Sequence, residues 1–127
     1  MFLDVTLERN QDLLEIALYY HQKGIVPPNT YVIDSDAVRE NAAILAKEAE
    51  RQNIQLFFMT KQIGRNPLLA RVIAEAGIPK AVAVDPWEAY KLAESGVQIG
   101  HIGHLVQIPK SMVEGCVENW ARCNDSV

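Results

Sequence analysis

Twice along this chain a capping side chain, a proline and a later glycine mark out a single helix and leave little freedom for anything else. Asn66 precedes Pro67, with Gly77 and Pro79 beyond; Asp85 precedes Pro86, and that block runs to Ser95-Gly96. Asn and Asp side chains accept the orphan N–H groups of a first turn, and proline there gives up no hydrogen bond. Glycine closes such a helix because it enters the left-handed region freely. Each block follows an apolar run of strand length. Ile54-Gln55-Leu56-Phe57-Phe58-Met59-Thr60-Lys61 stands before the first, and Ala81-Val82-Ala83-Val84 before the second. Successive strand-then-helix units with short loops require parallel strands covered by helices.

Two further units are expected on weaker signals. Residues 30–33 follow Pro27-Pro28 and read as a strand, leading into a helix over 36–52 that Asp34 or Ser35 caps. The buried stripe of that helix is expected at Val38, Ala42, Leu45, Ala46 and Ala49. Another strand is expected within 98–106, and Ser111-Met112-Val113-Glu114 opens a last helix with Val113, Cys116, Val117 and Trp120 on one side. Ahead of all these, a helix capped by Asn10 carries Leu13, Ile16, Ala17 and Tyr20 on one face and stops at Gly24. The chain thus divides into a helical lead-in, residues 1–29, and an α/β region of about four βα units, residues 30–127. No strand shows the polar-outside alternation of a half-wet antiparallel sheet. Such units close as a doubly wound sheet or as part of a (β/α)₈ barrel, and periodicity does not choose between them. The glycine patterns of dinucleotide and P-loop sites are absent from the sequence.

Composition excludes several classes. A chain of 127 residues with 49% hydrophobic and 22% charged residues is ordinary for one globular domain. The net charge of −4, with no run of Lys or Arg, argues against a nucleic-acid or anionic-membrane surface. The longest charge-free stretch, residues 96–109, is too short for a membrane span. Met1-Phe2-Leu3-Asp4-Val5 carries an acid early and lacks a signal-peptide pattern, so a cytoplasmic protein is expected. Cys116 and Cys123 have no metal-ligand spacing and are expected to be free thiols.

Lys61 is the residue with most chemical promise. It stands where a strand ends, and α/β folds build their sites at the carboxyl ends of strands. An ammonium there must be solvated, paired or used, and its best-known use is a Schiff base with a carbonyl cofactor. Gln55, Phe57, Met59 and Lys61 share one strand face; Ile54, Leu56, Phe58 and Thr60 share the other. His101 and His104 lie three apart, on opposite faces of a strand, which is wrong for chelating one ion. Either one can line a pocket at a strand end. Asp34 and Asp85 are explained as helix caps, and Arg65 stands in a turn where it can meet an anion near a helix start. No Ser-His-Asp or Cys-His arrangement is apparent.

One stretch is familiar. Tyr31-Val32-Ile33-Asp34-Ser35-Asp36-Ala37-Val38-Arg39-Glu40-Asn41 resembles the opening strand and helix of the alanine racemase amino-terminal domain. Lys61 falls where that family carries its cofactor lysine. Phe57-Phe58-Met59-Thr60-Lys61-Gln62-Ile63-Gly64-Arg65-Asn66-Pro67 and Gly103-His104-Leu105-Val106-Gln107-Ile108-Pro109 look like the YhfX-like branch of the family. The resemblance covers roughly residues 30–109. It implies a (β/α)₈ barrel of fold type III, of which this chain holds about the first half. It further implies pyridoxal 5′-phosphate bound covalently to Lys61, catalysis by Lys61 at the α carbon of an amino acid, and a pocket to which Arg65 and His104 belong. Racemisation is the implied reaction, with decarboxylase or lyase chemistry and a non-catalytic cofactor-binding fragment as alternatives. Alanine racemases follow their lysine with Ala-Asn-Ala-Tyr-Gly; here Gln62-Ile63-Gly64-Arg65-Asn66 stands instead, so neither the alanine substrate nor the phosphate contacts carry over.

Half of a barrel leaves open sheet edges and an uncovered apolar face carrying Phe57 and Met59. A homo-oligomer without turnover of its own is therefore expected. Size-exclusion chromatography with light scattering should show dimers or larger assemblies, and a racemisation assay over a panel of amino acids should show no activity. A sharp monomer peak that unfolds cooperatively and turns over substrate would defeat this expectation.

Overall fold

The computed structural model describes residues 2–103 and 107–124, and the chain divides into two compact units, Met1–Asp34 and Ser35–Val127. In the first unit, helix α1 (Phe2–Arg9) precedes α2 (Gln11–Gln22). Asn10 caps α2 as expected, accepting the Leu13 N–H at 3.0 Å, and Gly24 takes a φ of 70° just past its end. Helix α1 was not expected; Asp4 in its first turn and Arg9 in its last match the helix dipole. Tyr19 and Tyr20 pack edge to face with centroids 5.4 Å apart. The expected strand at residues 30–33 is not formed. Tyr31 is 94% exposed, and the segment joins no ladder. Apolar, β-branched composition sets a preference only; a strand exists when a neighbour takes its backbone hydrogen bonds.

The second unit opens with α3 (Ser35–Arg51), whose stripe is narrower than expected. Ala42 and Ala49 are buried, but Leu45 is largely exposed, as is neighbouring Ile44. The sheet has three parallel strands, β1 (Phe58–Met59), β2 (Lys80–Ala83) and β3 (Gln98–Ile102), in the order β1-β2-β3. Three strands, rather than the expected four, are therefore found among the described residues. Between and after them run α4 (Pro67–Glu75), α5 (Pro86–Glu94) and α6 (Val113–Asn124), with a 3₁₀ turn at Lys110–Met112 opening the last. Asn66 caps α4 by accepting the Leu68 N–H at 2.9 Å and the Leu69 N–H at 3.3 Å, and Asp85 caps α5 by accepting the Glu88 N–H at 2.9 Å. Both proline-after-cap blocks are borne out.

Strand β1 is shorter than its apolar run. Only Phe58 and Met59 ladder, against Ala81 and Val82, while the Ile54 N–H turns back to the Ala49 carbonyl at 2.8 Å. Thr60 then starts a 3₁₀ turn, Lys61–Ile63, so Lys61 stands two residues past the strand rather than in it.

Register assigns the two faces of the sheet. Phe58, Ala81 and Ile99 lie side by side, and with Ala83 and Ile102 they meet Ala70 and Ala74 of α4 and Ala89, Leu92 and Ala93 of α5. Alanine on both sides lets helices approach the sheet closely. The opposite face carries Phe57, Met59, Val82 and His101, none of them buried. A bulge leaves Gly100 unmatched in β3, and the Phe57 ring lies on it; a Cβ there would stand 2.2 Å from a ring carbon.

Gly77 ends α4 at a φ of 110°, and a Cβ on it would lie 2.9 Å from the Ala46 Cβ of α3. Gly77→Ala therefore combines a conformation that costs a non-glycine residue about 1–3 kcal/mol with a collision between two helices that have no flexible atoms to move aside. The urea midpoint should fall by the equivalent of about 2 kcal/mol or more; an unchanged midpoint would show that α3 yields freely.

Candidate functional site at the carboxyl end of the sheet

Thr60 follows β1 and is fully buried. On the purely apolar side of a strand it has no water to satisfy its hydroxyl, and the group donates instead to Glu88 Oε1 of α5. The Glu88 side chain is 1% exposed. Its second oxygen accepts the Val84 N–H at 2.7 Å, at the end of β2, and faces Arg65 Nε at 3.6 Å. Arg65 also places Nη2 3.3 Å from Asp85 Oδ2, while Asp85 Oδ1 caps α5. One guanidinium is thus shared by two carboxylates, one exposed in part and one buried.

Lys61 occupies the middle of this arrangement in sequence but takes no part in it. It is exposed, and its ammonium makes no hydrogen bond or ion pair with a described residue. The turn that carries it is tightly bound. The Thr60 carbonyl accepts the Ile63 N–H at 3.1 Å and the Arg65 N–H at 3.0 Å, and both Gly64 and Arg65 lie in the left-handed region, at φ 68° and 56°. That conformation is uncommon for arginine and persists where the surroundings fix it.

The other expected site residues are scattered. Arg65 was expected to face an anion in a pocket; its charge is committed to Asp85 and Glu88. His101 is exposed on the face opposite α4 and α5, beside Val82, and its Nε2 donates to the Gly103 carbonyl at 2.5 Å. His104 lies outside the described residues. Asp34 accepts from Asn10 Nδ2 at 2.5 Å within the first unit. Among the described residues no group of three or more His, Cys, Asp or Glu side chains converges to hold a metal ion, and no helix is long and apolar enough to cross a membrane. Cys116 is a buried free thiol.

By its spacing alone, as the third residue after the cap, Glu88 can complete a capping box at the Asp85 N–H. It reaches one residue further back, to Val84, and across to Thr60. A buried threonine on an otherwise apolar strand face was the available signal, since such a hydroxyl demands a partner.

A cleft of about 660 Å³ opens elsewhere, lined by Ala46, Lys47, Asn53, Gln55, Ala76 and Pro79. It lies at the amino ends of β1 and β2, and no buried charge converges on it. The carboxyl end has the chemistry. On the exposed surface of α3, hydrogen bonds from Arg51 and then Gln52 hold the Glu48 carboxyl below its usual range, and the same pair raises Arg51.

No protein-family model matches the chain. Over 118 residues it is 41% identical to an uncharacterized protein, YhfX, of Escherichia coli (strain K12). The match takes in 93% of this chain but only 30% of that protein, so the chain spans less than a third of the length of the relative.

Glu88→Ala leaves the Thr60 hydroxyl and Val84 N–H without an acceptor and Arg65 with one carboxylate instead of two. Each buried polar group left without a partner costs about 1–3 kcal/mol, so the two together cost about 2–6 kcal/mol. Equilibrium urea unfolding should show a loss in that range, larger than the loss from Thr60→Val, which removes a single hydrogen bond to a charged group, about 1.5–3 kcal/mol.

Proposed function

We propose that this chain is part of a pyridoxal-phosphate-dependent enzyme of the alanine racemase type, acting in the cytoplasm at the α carbon of an amino acid. The observation that carries the reading is Lys61: an exposed, unpaired amine at the carboxyl end of a parallel strand, on a turn whose neighbours are pinned to the sheet. A cofactor that must be held by one covalent bond to an amine needs such a residue. The sheet supports the same reading. Consecutive parallel strands in the order β1-β2-β3, with α4 and α5 gathered on one face, are what successive units of a (β/α)₈ barrel would give. A complete barrel takes about 250 residues, so the remaining strands would come from a longer polypeptide or a partner chain. The open strand edges favour a self-associating assembly.

The residues present fit the covalent half of the cofactor's needs. Lys61 would hold its carbonyl carbon through Nζ. Arg65 is turned to Asp85 and Glu88, so it is not assigned to the phosphate. When bound, pyridoxal phosphate supplies an electron sink for charge developing at the α carbon. Lys61 Nζ would also stand as base and proton donor on one face of that carbon. Racemase, decarboxylase and lyase chemistry would all draw on that electron sink; the resemblance of residues 31–41 to alanine racemases favours the first.

Incubation of the chain with pyridoxal phosphate, borohydride reduction and peptide mapping should place the adduct on Lys61, and Lys61→Ala should abolish it. Equal labelling of Lys23, Lys47, Lys80 and Lys91 would sink the reading, because it would show only the general reactivity of exposed amines.

A further inference from the structure

We propose that Glu88 is a positioning residue for Lys61, acting through Thr60 and Arg65; this rests on the reading of Lys61 as the cofactor lysine. The turn from Thr60 to Arg65 is tied at both ends to one carboxylate. Thr60 donates its hydroxyl to Glu88 Oε1, and Arg65 faces Oε2 at 3.6 Å. The carboxylate is itself fixed to the end of β2 by the Val84 N–H at 2.7 Å. Within the turn, the Thr60 carbonyl accepts the N–H groups of Ile63 and Arg65. Lys61 sits between the two tethers with its own amine left free. Its backbone cannot shift relative to β2 without breaking a bond to a buried charge.

Stability alone does not call for this construction. Well-packed apolar residues in place of a buried charged set are often neutral or stabilising. What the charge adds is direction, because a carboxylate bonded to a hydroxyl, an amide and a guanidinium has one geometry, whereas apolar packing tolerates several. A reacting group displaced by 1 Å loses on the order of a hundredfold in rate. Asp85 contributes from the other side. It caps α5, which carries Glu88, and holds the outer edge of the Arg65 guanidinium at 3.3 Å, so the helix and the turn are set by the same pair of acids.

The test uses the 127-residue chain, pyridoxal phosphate with borohydride as probe, and two readouts: labelling of Lys61 relative to Lys47 and Lys91, and hydrogen exchange of the 60–66 amides. Thr60→Val removes the hydroxyl while keeping the shape, Thr60→Ser keeps the hydroxyl, and Glu88→Gln removes the charge. Thr60→Val and Glu88→Gln should lower the relative labelling of Lys61 by about tenfold and speed exchange at Ile63 and Arg65, the effect of one hydrogen bond to a charged group. Thr60→Ser should restore both. Gly77→Ala, which weakens the fold at the α3–α4 contact, should leave the labelling ratio unchanged. If Glu88→Gln does not fold, the Thr60 pair decides alone. A wild-type preference for Lys61 that survives Thr60→Val, or that falls equally in Gly77→Ala, overturns the positioning role and leaves the cofactor reading intact. Absence of any preference for Lys61 in the wild-type chain overturns the cofactor reading and this proposal with it.

Discussion

Glu88 holds a carboxylate with almost no access to water, so each lone pair it presents must find a donor inside the protein. Two hydrogen bonds reach it, from the hydroxyl that follows β1 and from the amide that ends β2, and the guanidinium of the turn between β1 and α4 stands 3.6 Å away as an ion pair. A partly satisfied buried charge would cost more than a packed core gains, so these bonds form together or not at all. The carboxyl ends of two strands and the start of α5 are thereby locked to one point. Packing on the helix-covered face, where Ala70, Ala81, Ala83 and Leu92 are buried, brings the elements near enough for that lock to close.

The two faces of the sheet differ in what they carry. Small residues toward the helices make a dense layer, and Thr60 is the polar member of the apolar side that requires the Glu88 carboxylate. The other face carries Phe57, Met59, Val82 and His101, with Gly100 giving up its side chain so that the Phe57 ring can cross toward β3. Lys61 leaves the end of this sheet unpaired. Under the proposed function, that amine is the group that would hold the cofactor.

Charge placement also limits what the site can use. Arg65 reads in sequence as a loop cation free to meet an anion. Folding sets it between Asp85 and Glu88, and a guanidinium serving two carboxylates has little to offer a phosphate. The left-handed backbone at Arg65 belongs to the same arrangement, since its N–H closes on the Thr60 carbonyl while its side chain reaches the acids. Strain in the turn and pairing of the side chain hold each other in place.

How much of this was legible in the sequence follows from the range of each interaction. The caps at Asn10, Asn66 and Asp85, the prolines after two of them and the glycines that end α4 and α5 act over two to four residues, and they placed those helices before any fold was known. The strands β2 and β3 and the strand-end position of Lys61 were likewise readable, because short apolar runs bounded by such punctuation have few other uses. Whether residues 30–33 become a strand, and where β1 stops, depended on partners that no local pattern names; the first is unladdered and the second ends after Met59. The bond from Thr60 to Glu88 joins residues 28 apart in the chain, and the pairing of Arg65 with Asp85 and Glu88 arises only when parallel strands bring the turn after β1 beside the start of α5. Sequence determined which groups need partners, since burial and hydrogen-bonding capacity belong to residue types; only the tertiary structure decided which partners they take, because that is a matter of distance.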